Sequence, residues 1–335
     1  MKTVRLGLAG CGLFGESHLQ AFRAVRSAEV VAAYDVDRGR AEAMAQQFGI
    51  RRVCASLQEI CHLPEVDAID VVTPEHLHLE PVLEALAAGK HVFVEKPLAT
   101  DLSQCAQMIE AARVHDRALM VGQILRFETK YAMLKDEVAA GRLGNIVSMH
   151  ARRNRLKSLL PVYGRTHPAL ENSIHDIDLM LWYNDKAVQR VRGYGRRATN
   201  GKNPDTFWGV LEFEGGAIGV VETIWLLPPA AGIMLDDAFQ LIGTAGLANI
   251  QLLPGSFTLL RETGYEVPDV TYDPRVAQSA RGALRDELAY FCECVLENRK
   301  PSVITAEAAK RAVRVVLALI ESEKSGKDVE LSEWD

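Results

Sequence analysis

A short apolar segment near the N-terminus leads directly into three glycines with the spacing GxGxxG. The segment covers residues 4–9, and the glycines are Gly10, Gly12 and Gly15. Gly10 permits a sharp turn out of a strand, Gly12 lets a phosphate approach the backbone, and Gly15 lets the next helix pack near the sheet. A helix expected from residue 16 to about residue 25 would point its positive N-terminal end at the phosphates. The segment therefore predicts a dinucleotide-binding strand, turn and helix.

An acidic residue ends the second predicted strand, residues 30–34. It is Asp35, which lies twenty residues after the last glycine of the turn. An acid at this distance binds the ribose hydroxyls of NAD in doubly wound folds and repels the additional phosphate of NADP. The alternative is a strand-end turn with Asp37 and Gly39. Asp35 favours NAD, and Arg38 and Arg40 leave NADP as the less favoured cofactor.

Composition narrows the class of protein. The chain has 335 residues, 48% of them hydrophobic and 24% charged, which suits a globular protein of about two domains. A net charge of −6 argues against nucleic acid and anionic membranes as partners. No apolar run reaches the roughly 18–20 residues that cross a bilayer, and no signal peptide is evident, so we expect a cytoplasmic protein. The six cysteines form no CxxC pair, which predicts free, mostly buried thiols and no metal site.

The order of strands and helices predicts two domains. Residues 1–123 alternate strands and helices and predict an α/β Rossmann domain, a doubly wound parallel sheet that binds the cofactor. Residues 124–335 predict an α+β domain with a large, mostly antiparallel, open-faced sheet for substrate binding and oligomerisation. Strands are expected at 4–9, 30–34, 68–72, 91–95, 118–122, 146–155, 188–196, 206–214, 217–226, 238–243 and 257–261. Helices are expected at 79–88, 128–140, 284–297 and 306–324.

Two motifs follow strands of the first domain, at the carboxyl edge where open α/β sheets bind ligands. They are the segment from Thr73-Pro74 to His78, and Glu95-Lys96-Pro97. With the glycine turn and residues 85–89, 126–127, 175–178 and 243–246, they resemble the Gfo/Idh/MocA family (glucose-fructose oxidoreductase, inositol dehydrogenase and rhizopine catabolism) over nearly the whole chain. The resemblance implies an NAD(P)-dependent oxidoreductase, a dehydrogenase that transfers a hydride between nicotinamide and a secondary hydroxyl or keto group of a sugar, sugar acid or inositol-like polyol.

A second group of ionisable residues lies in residues 171–182. In a continuous helix Glu171, His175 and Asp178 would share one face, although spacing alone is equally typical of a solvated helix face. The resemblance implies that Lys96 and His175 are catalytic, and it places Glu171 where relatives usually carry an aspartate. His175 would act as general acid/base, because imidazole exchanges protons at neutral pH. Lys96 would bind the substrate oxygen and stabilise its alkoxide character.

The expected ligand contacts follow from these motifs and from the resemblance, which also places His78 near the cofactor. Cofactor contacts are expected from Gly10, Cys11, Gly12, Leu13, Phe14, Gly15, Asp35, Thr73, Pro74, His78, Glu95, Lys96 and Gln123. Substrate contacts are expected from Lys96, Arg153, Asn154, Glu171, His175 and Asp178. Strand alternation puts Arg153 and Asn154 on opposite faces, and a solvated strand edge is the alternative for this basic segment. Weaker candidates are Tyr163, His167, Trp225 and Asp236.

Two further questions concern activity and assembly. The alternative to an enzyme is a catalytically inactive NAD-binding sensor or regulatory protein, which would need neither Lys96 nor His175. Tightly held NADP that cycles between two sugars is a further alternative, and Asp35 opposes it. A sheet covered by helices on one face leaves the other face for a second subunit, so we expect a homodimer or homotetramer.

Overall fold

The structure, a computed structural model, describes residues 2–228, 235–251, 257–261, 264–277 and 279–333. Its contacts divide the chain into two compact units. Unit 1 comprises residues 1–128 and 270–310, and unit 2 comprises residues 129–269 and 311–335. Residues 270–310, which we expected in the second domain, therefore belong with the first sheet, where the Phe291 ring lies 5.6 Å from the Phe93 ring. The division by role into a cofactor domain and a substrate domain stays a prediction.

Unit 1 is built on a six-stranded parallel sheet. The strands are β1 Val4–Ala9, β2 Ala28–Tyr34, β3 Arg52–Val53, β4 Ala68–Val71, β5 His91–Glu95 and β6 Leu119–Gly122. Their order across the sheet is β3-β2-β1-β4-β5-β6, and each neighbouring pair is parallel. This order confirms the predicted doubly wound Rossmann sheet. The sequence did not predict β3, because two residues are too few to show a period.

The remaining strands form one large sheet and two small ladders. They are β7 Ile146–Arg155, β8 Val188–Arg196, β9 Thr206–Phe213, β10 Ile218–Ile224, β11 Leu235–Gly243, β12 Gly246–Gln251, β13 Leu259–Arg261, β14 Gly264–Glu266, β15 Arg275–Val276, β16 Ser279–Ala280 and β17 Val329–Glu330. The large sheet has the order β12-β11-β7-β10-β9-β8-β17, and within it β7 and β10 are parallel. It confirms the mostly antiparallel sheet. The strand expected at 257–261 is wrong as a member of this sheet, because β13 pairs with β14 instead.

The helices agree with the sequence where capping signals are clear. They are α1 Leu13–Phe22, α2 Arg38–Phe48, α3 Leu57–Cys61, α4 Leu79–Ala87, α5 Leu102–Val114, α6 Thr129–Ala139, α7 Leu160–Tyr163, α8 Ile174–Asn184, α9 Ala283–Leu296 and α10 Ala306–Ser325. The first helix begins at Leu13 and not at residue 16, since Gly12 is its N-cap and the glycine turn runs straight into it. Asp37 caps α2 by accepting the N–H groups of Gly39 and Arg40.

One face of the large sheet is packed against helices of unit 2. The Phe239 ring on β11 lies 6.0 Å from the Tyr131 ring on α6 and 5.5 Å from the Tyr183 ring on α8. Side chains of the opposite face alternate with these, and several of them are apolar and exposed, among them Ile218 on β10 and Leu247 on β12. The sheet therefore has one covered face and one open face, as predicted.

All six cysteines are buried and free, as predicted. Within the ranges that the structure describes, no helix combines the length and the apolarity needed to cross a membrane.

Candidate active site

The glycine turn of unit 1 leaves open space beside Gly12. Gly10 has a φ angle of 108°, and a Cβ there would lie 2.6 Å from the carbonyl oxygen of Val72. A Cβ on Gly15 would overlap the carbonyl oxygen of Gly10. The protein's own backbone thus requires Gly10 and Gly15, whereas a Cβ on Gly12 would meet no atom within 4 Å. The space beside Gly12, at the N-terminus of α1, fits the phosphates of a dinucleotide.

The Asp35 carboxylate faces this turn from the end of β2. Its Oδ2 accepts the N–H of Cys11 at 2.8 Å, and its Oδ1 accepts the N–H of Asp37 at 2.8 Å. A carboxylate has about four acceptor sites, so these bonds orient it and leave capacity for a ribose diol. Burial, with the nearby Asp35 charge, raises the pKa of the Cys11 thiol to about 12, so the thiol is neutral. The flanking Leu13 and Phe14 are exposed apolar side chains.

Two polar side chains at the carboxyl edge of the sheet have a buried atom without a hydrogen-bond partner among the described residues. Gln123, which follows β6, is 1% exposed, and its Nε2 is unpartnered. Thr73, which follows β4, has an unpartnered Oγ1. Since an unsatisfied buried polar atom is costly, both atoms are available to a ligand group or a water molecule at this edge. Lys96 follows β5, which lies between β4 and β6 in the sheet.

His78 connects the two motifs of this edge. Its Nδ1 lies 2.9 Å from the carbonyl oxygen of Pro97, and its Nε2 lies 3.0 Å from that of Thr73. Burial lowers the pKa of His78, although the carbonyl groups partly offset that effect. The imidazole therefore holds the segment after β4 against the segment after β5. Its predicted cofactor contact stays a prediction, as does that of the exposed Pro74.

Glu95, which directly precedes Lys96, belongs to a buried cluster that the sequence analysis missed. Its Oε2 accepts the main-chain N–H of Lys96 at 3.1 Å, and its Oε1 lies 3.3 Å from His18 Nε2. His18 Nδ1 in turn lies 3.0 Å from Asp70 Oδ2. Two signals were available in the sequence: an aspartate inside the apolar strand β4, and a histidine three residues after Gly15. The carboxylate expected to contact the cofactor is thus engaged with His18 and Lys96.

The second candidate group lies where two kinds of helix meet. Residues Ala169–Ser173 form a π-helical turn that contains Glu171, and α8 begins after it with His175 as its second residue. The prediction of one continuous α-helix is therefore wrong at its start, because the wider π winding changes the angle between side chains. Glu171 and His175 are half-buried, whereas Asp178 is buried. The three residues do not share one exposed face.

Arg153 binds two carboxylates in the interior of unit 2. Its Nη2 lies 2.8 Å from Asp176 Oδ1, its Nη1 lies 2.6 Å from Asp237 Oδ2, and its side chain is 3% exposed. Burial raises the pKa of Asp176, and Arg153 opposes that rise. Since Asp176 directly follows His175, this ion pair ties the start of α8 to β7. The predicted substrate contact of Arg153 is opposed by these two partners.

Asn154 faces the other side of the sheet, as strand alternation predicts. Its Nδ2 donates to Glu222 Oε1 and to Asp236 Oδ2, both at 3.1 Å. Arg152 shares this face and binds Asp236 at 2.8 Å. Arg153 and Asn154 cannot both contact one ligand on one side of the sheet, so the predicted pair is not a combined substrate site.

The weaker candidates have packing contacts. The Tyr163 ring stacks on the Trp225 ring, with centroids 5.9 Å apart. His167 is buried, and its Nδ1 accepts the N–H of Ala169 at 3.1 Å. Burial, with Arg197 adding to it, lowers the pKa of His167 to about 3, so this imidazole is neutral at pH 7.

Two family models match the chain. Residues 4–123 match the family model for an oxidoreductase family with an NAD-binding Rossmann fold, and residues 131–249 match the Gfo/Idh/MocA C-terminal domain. An inositol 2-dehydrogenase from Acidothermus cellulolyticus is 38% identical over 61% of this chain and 60% of its own length. Inositol 2-dehydrogenase 2 from Saccharopolyspora erythraea is 31% identical over 84% of each chain.

A solved structure has the same fold. It is scyllo-inositol dehydrogenase from Lactobacillus casei with bound NAD(H) and scyllo-inositol, with a TM-score of 0.86 and 22% identity over 99% of this chain and 100% of that chain. The likeness over both units agrees with the two matched domains. The chain belongs to the Gfo/Idh/MocA family of oxidoreductases, and its N-terminal domain is an NAD-binding Rossmann fold.

Proposed function

We propose that the protein is an NAD-dependent dehydrogenase that interconverts a secondary hydroxyl and a keto group of a cyclic polyol. An inositol is the first candidate substrate, and sugars and sugar acids are the wider class. The observation that carries the proposal is that Lys96 follows β5, and that Thr73 and Gln123, which follow the neighbouring strands β4 and β6, each hold a buried atom without a hydrogen-bond partner among the described residues. The names of the relatives, inositol 2-dehydrogenases, support the substrate class.

The proposed cofactor site extends along the carboxyl edge of the unit 1 sheet. When bound, NAD supplies the hydride acceptor. The space beside Gly12 would receive the phosphates, and the Asp35 carboxylate would bind the ribose diol. Gln123 Nε2 would donate to a polar group of the cofactor, which would satisfy an otherwise costly buried donor. The turn contacts would come from Gly10, Cys11, Leu13, Phe14 and Gly15.

The proposed chemistry uses Lys96, His175 and Glu171. As hydride leaves the carbon with its electron pair, the hydroxyl proton passes to an imidazole nitrogen of His175. The Lys96 ammonium donates a hydrogen bond to the same oxygen and stabilises its developing negative charge. Glu171, in the π-helical turn, would orient His175, and Asp178 would hold α8 from within. An inactive sensor would have no use for this combination.

Steady-state kinetics test the proposal. A panel of inositols, aldoses and uronic acids is followed with NAD and NADP at the absorbance of reduced nicotinamide. Lys96→Ala and His175→Ala should each lower kcat/KM by at least about 100-fold, because each removes a group that acts on the reacting oxygen. Lys300→Ala and His62→Ala, which change exposed residues of the same types, serve as controls.

Three results would contradict parts of this proposal. If Lys96→Ala and His175→Ala stay within a few-fold of the wild type, the assigned roles are wrong. If the protein binds NAD but oxidises or reduces no member of the panel, the sensor alternative is favoured. Equal affinity for NAD and NADP would refute the role of Asp35.

We also infer a homodimer or homotetramer that forms through the open face of the large sheet. Trp208 on β9 and Val220 on β10 lie half-buried on this face, and Ile218 is 46% exposed. Covering such apolar side chains with a second copy would remove them from water. The cytoplasmic location expected from the sequence remains part of the proposal.

A further inference from the structure

We propose that His18 is a positioning residue of the active site, whose buried imidazolium is anchored by Asp70 and fixes the Glu95 carboxylate against the main chain of Lys96. The inference rests on the proposed function, because it takes Lys96 as the group that binds the substrate oxygen. It gives a role to a histidine and an aspartate that the proposed chemistry leaves unused.

The contacts form one continuous chain from the glycine-turn helix to the lysine. His18, on α1, has no exposed surface, and its two ring nitrogens face Asp70 on β4 and Glu95 on β5. The distances are 3.0 Å from Nδ1 to Asp70 Oδ2 and 3.3 Å from Nε2 to Glu95 Oε1. The second oxygen of Glu95 accepts the Lys96 N–H at 3.1 Å. The helix that would face the phosphates therefore also holds the strand end that carries Lys96.

The surroundings leave the Glu95 carboxylate little freedom. Gly122 is its partner on β6, and a Cβ at Gly122 would lie 2.9 Å from Glu95 Cδ. The His18 ring is packed edge-on against the rings of Phe14 and Phe93, with centroids 5.0 Å and 5.7 Å away. Glycine at position 122 is thus the residue that admits the carboxylate, and the rings fix the imidazole that binds it.

The geometry also favours a charged imidazole: Nδ1 is within hydrogen-bond distance of Asp70, and Nε2 forms an ion pair with Glu95 at 3.3 Å that does not meet hydrogen-bond geometry. A neutral imidazole has one N–H donor, whereas here each of the two nitrogens faces a carboxylate oxygen. Burial by itself would lower the pKa of His18, but Asp70 and Glu95 outweigh burial and raise the pKa to about 10. The Cys292 thiol on α9 is neutral, because burial, with the Asp70 charge adding to it, raises its pKa to about 12.

The position of Lys96 explains why such an anchor would matter. A lysine side chain has four rotatable bonds, so its ammonium is only as well placed as the backbone and packing that carry it. A displacement of about 1 Å at a reacting centre can lower the rate about 100-fold. A hydrogen bond from the Lys96 main-chain N–H to a rigid carboxylate restricts the backbone from which the lysine side chain extends.

Two neutral substitutions of His18 separate positioning from simple stability. Gln places its amide near the position of Nε2 and can still donate to Glu95, whereas Asn places its amide near Nδ1 and can donate only to Asp70. We expect His18→Asn to lower kcat about 100-fold with little change in the Kd for NAD. His18→Gln should retain most of kcat, although both variants lose the charge and should melt earlier.

Two further variants complete the design. Gly122→Ala displaces Glu95 without changing any charge, and it should lower kcat as His18→Asn does. Phe22→Leu changes another ring beside His18, with centroids 6.4 Å apart, and should leave kcat unchanged. The proposal is overturned if His18→Asn retains the wild-type kcat, if the Asn and Gln variants are equally active, or if Phe22→Leu loses as much activity as His18→Asn.

NMR readouts keep the inference separate from the proposed function. If the wild type oxidises no polyol, the proposed function fails. The inference is then tested by two NMR measurements that need no substrate. A ¹⁵N spectrum at pH 8 should show His18 doubly protonated, assigned with His18→Gln. The signal of ¹³C-dimethylated Lys96, assigned with Lys96→Arg, should move in His18→Asn. A neutral His18 or an unmoved Lys96 signal would overturn the inference.

Discussion

Removing the buried Arg153 guanidinium should destabilise unit 2 strongly. In Arg153→Met, Asp176 loses the guanidinium that binds it at 2.8 Å. Asp237 loses its contact at 2.6 Å and keeps the one with Arg155. Breaking a buried ion pair by removing one partner costs about 3–5 kcal/mol, because the remaining charge stays in the interior. Arg152→Met is the matched control, one residue earlier on the same strand. Its ion pair with Asp236 is more exposed and should cost at most about 1 kcal/mol.

Tryptophan fluorescence during urea unfolding is a suitable assay for this prediction. The tryptophans of the described residues, at positions 182, 208 and 225, belong to unit 2, so their signal follows that unit. The expected result is a large loss of unfolding free energy in Arg153→Met and a small loss in Arg152→Met. Equal losses in the two variants would refute the structural role of Arg153 and revive its role as a substrate contact.

The loss should also depend on pH. Burial raises the pKa of Asp176 and Arg153 opposes that rise, so without Arg153 the pKa rises further. A carboxyl group with a higher pKa in the folded than in the unfolded protein binds a proton on folding, and its destabilising effect shrinks as the pH falls through that range. The deficit of Arg153→Met should therefore be smaller at pH 5 than at pH 8. A deficit that does not change with pH would contradict buried, uncompensated charge as its cause.

Three other predictions concern the cofactor turn, acid stability and assembly. Gly12→Ala should weaken NAD binding about tenfold and leave the Tm unchanged, because the new methyl group fills only the space for the ligand. Gly15→Ala should lower the Tm, because its methyl group would overlap the backbone. Calorimetry with NAD and thermal melting test the two variants. The folded pKa of His167, about 3, lies below its ordinary value of 6.5, so the unfolded state takes up the proton first and stability falls with pH below 6.5. His167→Gln should remove up to about 1.4 kcal/mol per pH unit of that slope, as measured by urea unfolding at pH 4–6, and an unchanged slope would contradict it. Val220→Lys should dissociate the oligomer in sedimentation velocity, and an unchanged sedimentation coefficient would contradict the open-face interface.

The sequence predicted the first sheet closely because its signals are local. Buried parallel strands are continuous apolar runs, and Gly89 follows the helix before β5, so β1 and β5 were placed to the residue. Short pieces carry no period, which is why β3 and β17 were missed. The π-helical turn before α8 was missed for a related reason, since the pattern of residues 171–182 is that of an ordinary amphipathic helix.

The candidate site was predicted only where a motif marks it. Lys96 and His175 were identified by motifs that resemble a known family, but their neighbours depend on tertiary contacts. His18 and Asp70 are 52 positions apart, and Arg153 and Asp237 are 84 apart. No spacing rule connects such pairs. From the sequence, Arg153 on its strand therefore predicted an anionic partner. Only the fold shows that this partner is a pair of the protein's own carboxylates and not a substrate.

The two proposed catalytic residues have the same kind of support, although they belong to different units. In unit 1, His18 lies between the carboxylates of Asp70 and Glu95, and Glu95 directly precedes Lys96. In unit 2, Arg153 lies between two carboxylates, one of which directly follows His175. In each case a buried cation fixes the chain neighbour of a half-buried reactive side chain. Buried ion pairs add little net stability when they are compared with apolar packing, but breaking them is costly, so they hold a backbone in one geometry. Positioning is therefore the function that best explains why both clusters are charged rather than apolar.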